Sequence, residues 1–152
     1  MKWSYFLKHK DDQVGALIDF IKALQAKKSN IVKFICCDNA GENKSLEKAC
    51  LKEGLGITFE YTARATLQQN GKVERNFATL YGRMRSMMIF ASFTKKLKHE
   101  LWTEAASTAT KLDNILVDKP STDSPYKLFY NKDPDYKNHL QIFGELGTVT
   151  WT

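Results

Sequence analysis

The fold of this chain is decided by residues 31–43, which read IVKFICCDNAGEN. The apolar run at 31–37, broken by a single lysine, predicts a buried β-strand that ends directly at Asp38. In α/β proteins, side chains at the carboxyl end of a strand lie where ligands bind. Asp38 is therefore a candidate site residue. Taken alone, an Asp before Asn and Gly-like residues is also typical of a turn.

Predicted strands and helices alternate on both sides of this segment. Hydrophobic spacing and capping signals predict strands at 3–8 and 57–61 and helices at 11–27, 45–53, 70–91 and 97–117. Gly54 is expected to stop the helix at 45–53. The resulting order is strand, helix, strand, helix, strand, helix, helix. Alternation of this kind argues for an α/β fold with some parallel strand pairing.

The long helix at 70–91 carries a second candidate carboxylate, Glu74, which the pattern places in the first turn. A Glu in a first turn often does no more than complement the helix dipole, so Glu74 alone indicates little. The same helix has apolar residues at spacings of three and four, and we expect them to form core: Val73, Phe77, Leu80, Met84, Met87 and Ala91.

Positive charge is concentrated in one part of the chain. The formal net charge of the 152 residues is +6. Residues 71–100 contain seven Lys or Arg against two Glu, a net charge of +5. A basic stretch of this kind suits a polyanion such as nucleic acid, although a solvated helix face would look similar. With no apolar run long enough to span a membrane and no signal-peptide pattern, an intracellular protein is expected.

Several segments resemble copia-type integrases. Residues 37–43, CDNAGEN, resemble the family's Asp-Asn-Gly-x-Glu segment, and residues 68–75, QQNGKVER, resemble its Pro-Gln-Gln-Asn-Gly-x-x-Glu-Arg segment. Between Asp38 and Glu74 lie 35 residues, the spacing of the second and third catalytic carboxylates in that family. Residues 101–105, 124–134 and 139–144, which read LWTEA, SPYKLFYNKDP and HLQIFG, resemble later landmarks. The resemblance covers nearly the whole chain.

The resemblance implies an RNase H-like α/β core, a mixed sheet flanked by helices, in the integrase of an LTR retrotransposon Pol polyprotein. Residues 1–118 would form a partial catalytic core and residues 119–152 its C-terminal extension. Asp38 and Glu74 would be catalytic and would bind Mg²⁺ or Mn²⁺, with two ions in the complete family site. The expected nucleic-acid contacts are Asn70, Lys72, Arg75 and Arg83.

One part of the family pattern has no counterpart in these 152 residues. Residues 3–10 resemble the third strand of the core, so the first two strands and the first catalytic Asp are expected to be missing. We therefore expect little or no integrase activity from this chain alone and leave its status as an enzyme open. The alternative is a non-catalytic remnant that binds nucleic acid or dimerises. Expected partners are DNA, as element ends and target duplex, and a second copy of the chain, with no membrane; the family's role implies a nuclear location.

Overall fold

The structure is a computed structural model that describes residues 1–27, 32–62, 67–117 and 123–145. Its helices and strands are α1 (Gln13–Lys27), β1 (Phe34–Cys37), α2 (Gly41–Lys52), β2 (Thr58–Tyr61), α3 (Leu67–Phe90), α4 (Lys95–Glu100), α5 (Trp102–Ile115) and α6 (Pro125–Tyr130). The chain is thus mixed α/β and mostly helical, which confirms the predicted α/β class. Among the described helices, none is both long enough and apolar enough to cross a membrane.

Internal contacts divide the chain into two compact units. The Asp38 unit comprises Leu7–Val73, and the Glu74 unit comprises Met1–Phe6 together with Glu74–Thr152. The division falls inside α3. The predicted boundary after residue 118 lies outside the described residues and stays a prediction.

The Asp38 unit is built on a β1–α2–β2 crossover. The two strands are parallel and pair in register from Phe34 with Thr58 to Cys37 with Tyr61. Helices α1 and α2 pack together, and their buried residues form the core of the unit: Ile18, Ile21, Leu46 and Cys50. Gly54 follows α2 with φ of +65°, a conformation that glycine adopts without strain, which confirms the predicted stop.

The sheet is covered on one face only. Ile35 and Phe59 pack against the core, whereas Phe34 is 62% exposed. β1 was predicted to be buried along its whole length. That prediction was wrong for every second residue of the strand, such as Phe34. Successive side chains of a strand point to opposite faces, and in β1 the side chains alternate between exposed and partly buried.

The predicted strand at residues 3–8 is not a strand in the structure. A strand needs a neighbour that satisfies its backbone N–H and C=O groups, and in the described chain β1 pairs with β2. The Asn114 side chain instead bonds the backbone of Lys2, the residue just before this segment. Its Oδ1 accepts the Lys2 N–H at 2.7 Å, and its Nδ2 donates to the Lys2 carbonyl at 2.8 Å.

In the Glu74 unit, residues 1–6 run along α5. The Ser4 and Thr110 hydroxyls are hydrogen-bonded at 2.5 Å, and Phe6 meets Trp102 edge to face at 5.4 Å between ring centroids. The buried face of α5 is made of small side chains, which allow this close approach: Ala105, Ala106 and Ala109. The single helix predicted at 97–117 is two helices, because the backbone leaves the helical conformation at Leu101, with φ −104° and ψ 12°.

The apolar stripe of α3 is only partly core. Met88, which lies outside the predicted stripe, is buried, whereas Phe77 is 53% exposed and Val73 is also exposed. The prediction was wrong for Val73 and Phe77, because about half of each of these side chains remains exposed in the described chain. Helical spacing identifies an apolar face but cannot show whether another element packs on it.

Candidate active site

Asp38 directly follows β1 at the carboxyl end of the sheet. Its neighbour Cys37 pairs with Tyr61 at the end of β2, and the Thr62 N–H donates to the Cys37 carbonyl at 2.9 Å. Because the strands are parallel, both end at this edge. Asp38 is exposed there. The predicted position of this carboxylate at a strand end is confirmed.

Two hydrogen bonds fix the Asp38 carboxylate through one of its oxygens. Asn43 Nδ2 donates to Asp38 Oδ1 at 2.6 Å, and the Ala40 N–H donates to the same oxygen at 3.3 Å. The second contact is the turn that an Asp in this context commonly forms. No described residue donates to Oδ2, so this oxygen faces no competing protein donor in the described chain. Asp38 therefore combines a turn role with an oriented oxygen of the kind that Mg²⁺ binds.

A cation lies beside this carboxylate. Lys10, in the 3-10 turn Lys10–Asp12, forms an ion pair with Glu42 in the first turn of α2. The hydrogen bond from Lys10 lowers the pKa of Glu42. The same bond, reinforced by the charges of Glu42 and, to a smaller extent, Asp38, raises the pKa of Lys10. One positive charge is thus paired with Glu42 and also acts electrostatically, more weakly, on Asp38.

Tyr61 brings a phenol to the same edge of the sheet. Its hydroxyl donates to Glu47 Oε2 at 2.6 Å, and this hydrogen bond raises the pKa of Tyr61 to about 12. A protonated phenol donates to a carboxylate, whereas a phenolate would be repelled by it. Tyr61 therefore remains neutral at physiological pH and ties β2 to α2.

The raised pKa of Tyr61 predicts a pH-dependent contribution to stability. This contribution is fully present below the ordinary tyrosine pKa of about 10 and is lost as the pH rises through the folded-state value of about 12. In ultraviolet difference titrations, Glu47→Gln should move the Tyr61 transition back toward about 10. The Tyr61→Phe protein identifies that transition among the six tyrosines. An unchanged titration in Glu47→Gln would contradict the hydrogen bond as the cause.

Glu74 lies deeper in its helix than the sequence indicated. Helix α3 begins at Leu67, which makes Glu74 the eighth residue and places it about two turns from the start. The prediction of a first-turn position was wrong, because the helix extends three residues further toward the amino terminus than expected. Dipole effects fade within the first turn, so complementing the dipole does not explain this exposed carboxylate.

The remaining predicted site residues have three different outcomes. Arg75 is exposed on α3, whereas the side chains of Asn70 and Lys72 lie outside the described residues. The Arg83 guanidinium contacts Asp113 Oδ1, and the Lys2 ammonium lies 2.8 Å from Asp113 Oδ2. Arg83 therefore already has a buried carboxylate as partner, and its contact with nucleic acid stays a prediction.

The pairing of Asp38 and Glu74 also stays a prediction, because the two residues belong to different units. Among the described residues, no three His, Cys, Asp or Glu side chains gather in a way that could hold a metal ion. A metal site formed by these two carboxylates therefore stays a prediction.

Sequence reasoning assigned no role to two residues at the site, Asn43 and Lys10. Asn43 orients the carboxylate of Asp38, and its position five residues later, at the start of a helix, was a usable signal. Lys10 reaches Glu42 from a segment 32 positions earlier in the chain, so local spacing could not reveal the ion pair.

These observations define a mixed α/β chain whose parallel strands present an oriented carboxylate at their carboxyl end. Comparison with known proteins shows that it is homologous to part of a retrotransposon Pol polyprotein. Over 143 residues, 93% of its length, the chain is 33% identical to the "Retrovirus-related Pol polyprotein from transposon TNT 1-94" of Nicotiana tabacum. The chain spans 10% of that relative's length. No protein-family model and no solved structure matches the chain.

Proposed function

We propose that this chain is a segment of the catalytic core of a copia-type retrotransposon integrase, with an RNase H-like fold. The observation that carries the proposal is the placement of Asp38 at the carboxyl end of parallel strands, with its carboxylate oriented by Asn43. Homology to a Pol polyprotein supports a transposon-related role. The activity in question is metal-dependent polynucleotidyl transfer, the step that joins element DNA to a target duplex.

The donor set fits a hard divalent cation. Asp38 and Glu74 offer exposed carboxylate oxygens, which Mg²⁺ and Mn²⁺ prefer as ligands, and Mg²⁺ keeps several waters, so few protein ligands suffice. Asp38 and Glu74 would hold the metal, and Asn43 would orient Asp38. When bound, a pair of such ions activates the attacking oxygen and stabilises the leaving oxygen of a phosphodiester. The remaining family carboxylate would come from outside this 152-residue sequence.

The residues beside these carboxylates would bind DNA. In this proposal Asn70 contacts the strand near the scissile phosphate, and Lys72 and Arg75 neutralise backbone phosphates. Arg83 would reach DNA only by sharing or leaving its contact with Asp113. The partners would be element ends and the target duplex, and the site of action would be the nucleus.

The proposal is tested by binding and strand-transfer assays on labelled duplex DNA with Mg²⁺ or Mn²⁺, with Glu74→Gln assayed alongside. We expect both the wild type and Glu74→Gln to bind DNA in a salt-sensitive way. We expect neither protein to yield a strand-transfer product, because the chain supplies two of the three family carboxylates. Absence of binding would contradict the proposal. A metal-dependent product lost in Glu74→Gln would show that a group in this chain completes the site, and one retained in Glu74→Gln would contradict the role of Glu74.

A dimerising role is the second candidate, and the surface of α3 favours it. Phe77 and Tyr81, one helical turn apart, are 53% and 52% exposed, and their rings stack at 6.3 Å between centroids. Exposed aromatic pairs of this kind are enriched where proteins associate. Light scattering over a range of protein concentrations separates a dimer from a monomer that only binds DNA.

A further inference from the structure

We propose that α2 carries a lysine row, Lys44, Lys48 and Lys52, that binds the phosphodiester backbone of duplex DNA. The inference rests on the proposed function and adds to it a contact surface within the Asp38 unit. The sequence did not predict this row. Its strongest basic stretch is at residues 71–100, and the predicted helix began at residue 45, which left Lys44 outside it.

The three lysines share one exposed face of α2. They follow one another at intervals of four residues, so each is rotated by about 40° from the last and lies about 6 Å further along the axis. Leu46 and Cys50, the buried residues of the helix, lie on the opposite side. A row roughly 12 Å long spans several phosphates of one strand, which are about 3.4 Å apart along the duplex axis.

The lysine row is not neutralised by its own helix. The two glutamates of α2 have partners elsewhere, Glu42 with Lys10 and Glu47 with Tyr61. Glu53, which follows Lys52, is paired with Lys22 at 2.7 Å, and this pair lowers the pKa of Glu53 more than the charge of Lys52 does. Within the described chain, none of the three lysines has an ion-pair partner. Like charges four residues apart destabilise a helix, so an external polyanion would relieve a repulsion that the fold leaves in place.

The row also has a direction relative to the candidate active site. It begins one residue after Asn43, whose side chain donates to Asp38, and it runs along the helix away from that carboxylate. A DNA strand bound along the row would therefore run toward the end of α2 that follows Asp38 in the chain.

The salt dependence of DNA binding tests the inference. The DNA-binding constant falls as salt rises, and each phosphate contact adds about 0.9 to the steepness of log K against log salt concentration. Replacing Lys44, Lys48 and Lys52 with Gln should therefore reduce that steepness by up to about 2.7. The matched control replaces Lys127, Lys132 and Lys137 with Gln. That control removes the same charge from lysines that are already paired with Asp123, Asp135 and Asp133. A Lys-to-Arg version of the row should retain the wild-type slope.

The outcomes separate this inference from the proposed function. A smaller slope in the row variant, with the control near wild type, supports the lysine row. Wild-type binding with an unchanged slope in the row variant overturns the row and leaves the proposed function standing. Equal losses in row and control variants also overturn it, because net charge alone would then account for the effect. Absence of wild-type binding contradicts the proposed function and the inference together. Thermal unfolding should show a row variant close to the wild type in stability, since removal of the like-charge repulsion offsets the loss of Lys52 from the last turn of α2.

Discussion

Asp38→Asn is expected to weaken Mn²⁺ binding by at least about 100-fold, since loss of an outer-shell partner alone commonly costs about 10–100-fold. The substitution removes the negative charge and one carboxylate oxygen but keeps an oxygen that can accept from Ala40 and Asn43. The free-ion signal of Mn²⁺ in electron paramagnetic resonance measures the bound fraction even when binding is weak. Asp11→Asn, an exposed change in the same unit, is the matched control and should bind as the wild type does.

Asn43→Ala distinguishes the effect of removing the Asp38 carboxylate from the effect of disordering the loop that holds it. This change leaves the Asp38 carboxylate in place and removes the 2.6 Å hydrogen bond that orients it. We expect about tenfold weaker Mn²⁺ binding, the size of an outer-shell effect. A loss as large as that of Asp38→Asn would show that loop order, rather than a ligand oxygen, decides affinity. Wild-type affinity in Asp38→Asn would contradict Asp38 as a metal ligand.

Asp113→Ala should have the largest effect on stability, a loss of about 2–3 kcal/mol in the free energy of unfolding. The Asp113 side chain is 3% exposed and contacts both Lys2 and Arg83. Its removal leaves two cations without their carboxylate and frees the segment at residues 1–6 from one of its attachments to α5. The loss stays below that of a fully buried pair, because Lys2 and Arg83 are partly exposed and can be hydrated.

Urea denaturation measures this loss, and Asp133→Ala provides the control. Asp133 is half-exposed and pairs with Lys137 at 3.3 Å, so its replacement should cost less than about 1 kcal/mol. An Asp113→Ala protein as stable as the control would contradict a structural role for the contacts of Asp113 with Lys2 and Arg83. Arg83 would then be free to act at the DNA, as its predicted role requires.

The order of elements around Asp38 was predictable because the signals are local. A short apolar run, a polar loop and a glycine stop specify β1, α2 and β2 from a few neighbouring residues each. The early start of α2 at Gly41 was missed because it depends on Asp38 and Asn43 side chains that hold the turn before the helix. That error removed Lys44 from the helix and concealed the lysine row.

The rest of the fold depends on contacts between distant residues. Residues 3–8 have the composition of a strand, but Ser4 and Phe6 in this segment contact Thr110 and Trp102, which lie about 100 positions away in the chain. Arg83 looks like a phosphate ligand in the sequence, yet its described partner is Asp113 on α5. The conformation of the amino-terminal segment and the partner of Arg83 both depend on side chains that are close only in the folded chain. Hydrophobic periodicity in the sequence does not reveal such contacts.

Paramagnetic broadening by Mn²⁺ tests most directly whether Asp38 and Glu74 share a metal site. In amide nuclear magnetic resonance spectra of the whole chain, low Mn²⁺ should broaden signals around residues 38–43 and around Glu74 over the same range of concentration. Asp38→Asn should remove both effects together. Broadening at only one of the two segments in the wild type would contradict a shared site. So would broadening near Glu74 that persists in the Asp38→Asn protein. Either result would also contradict the proposed integrase chemistry.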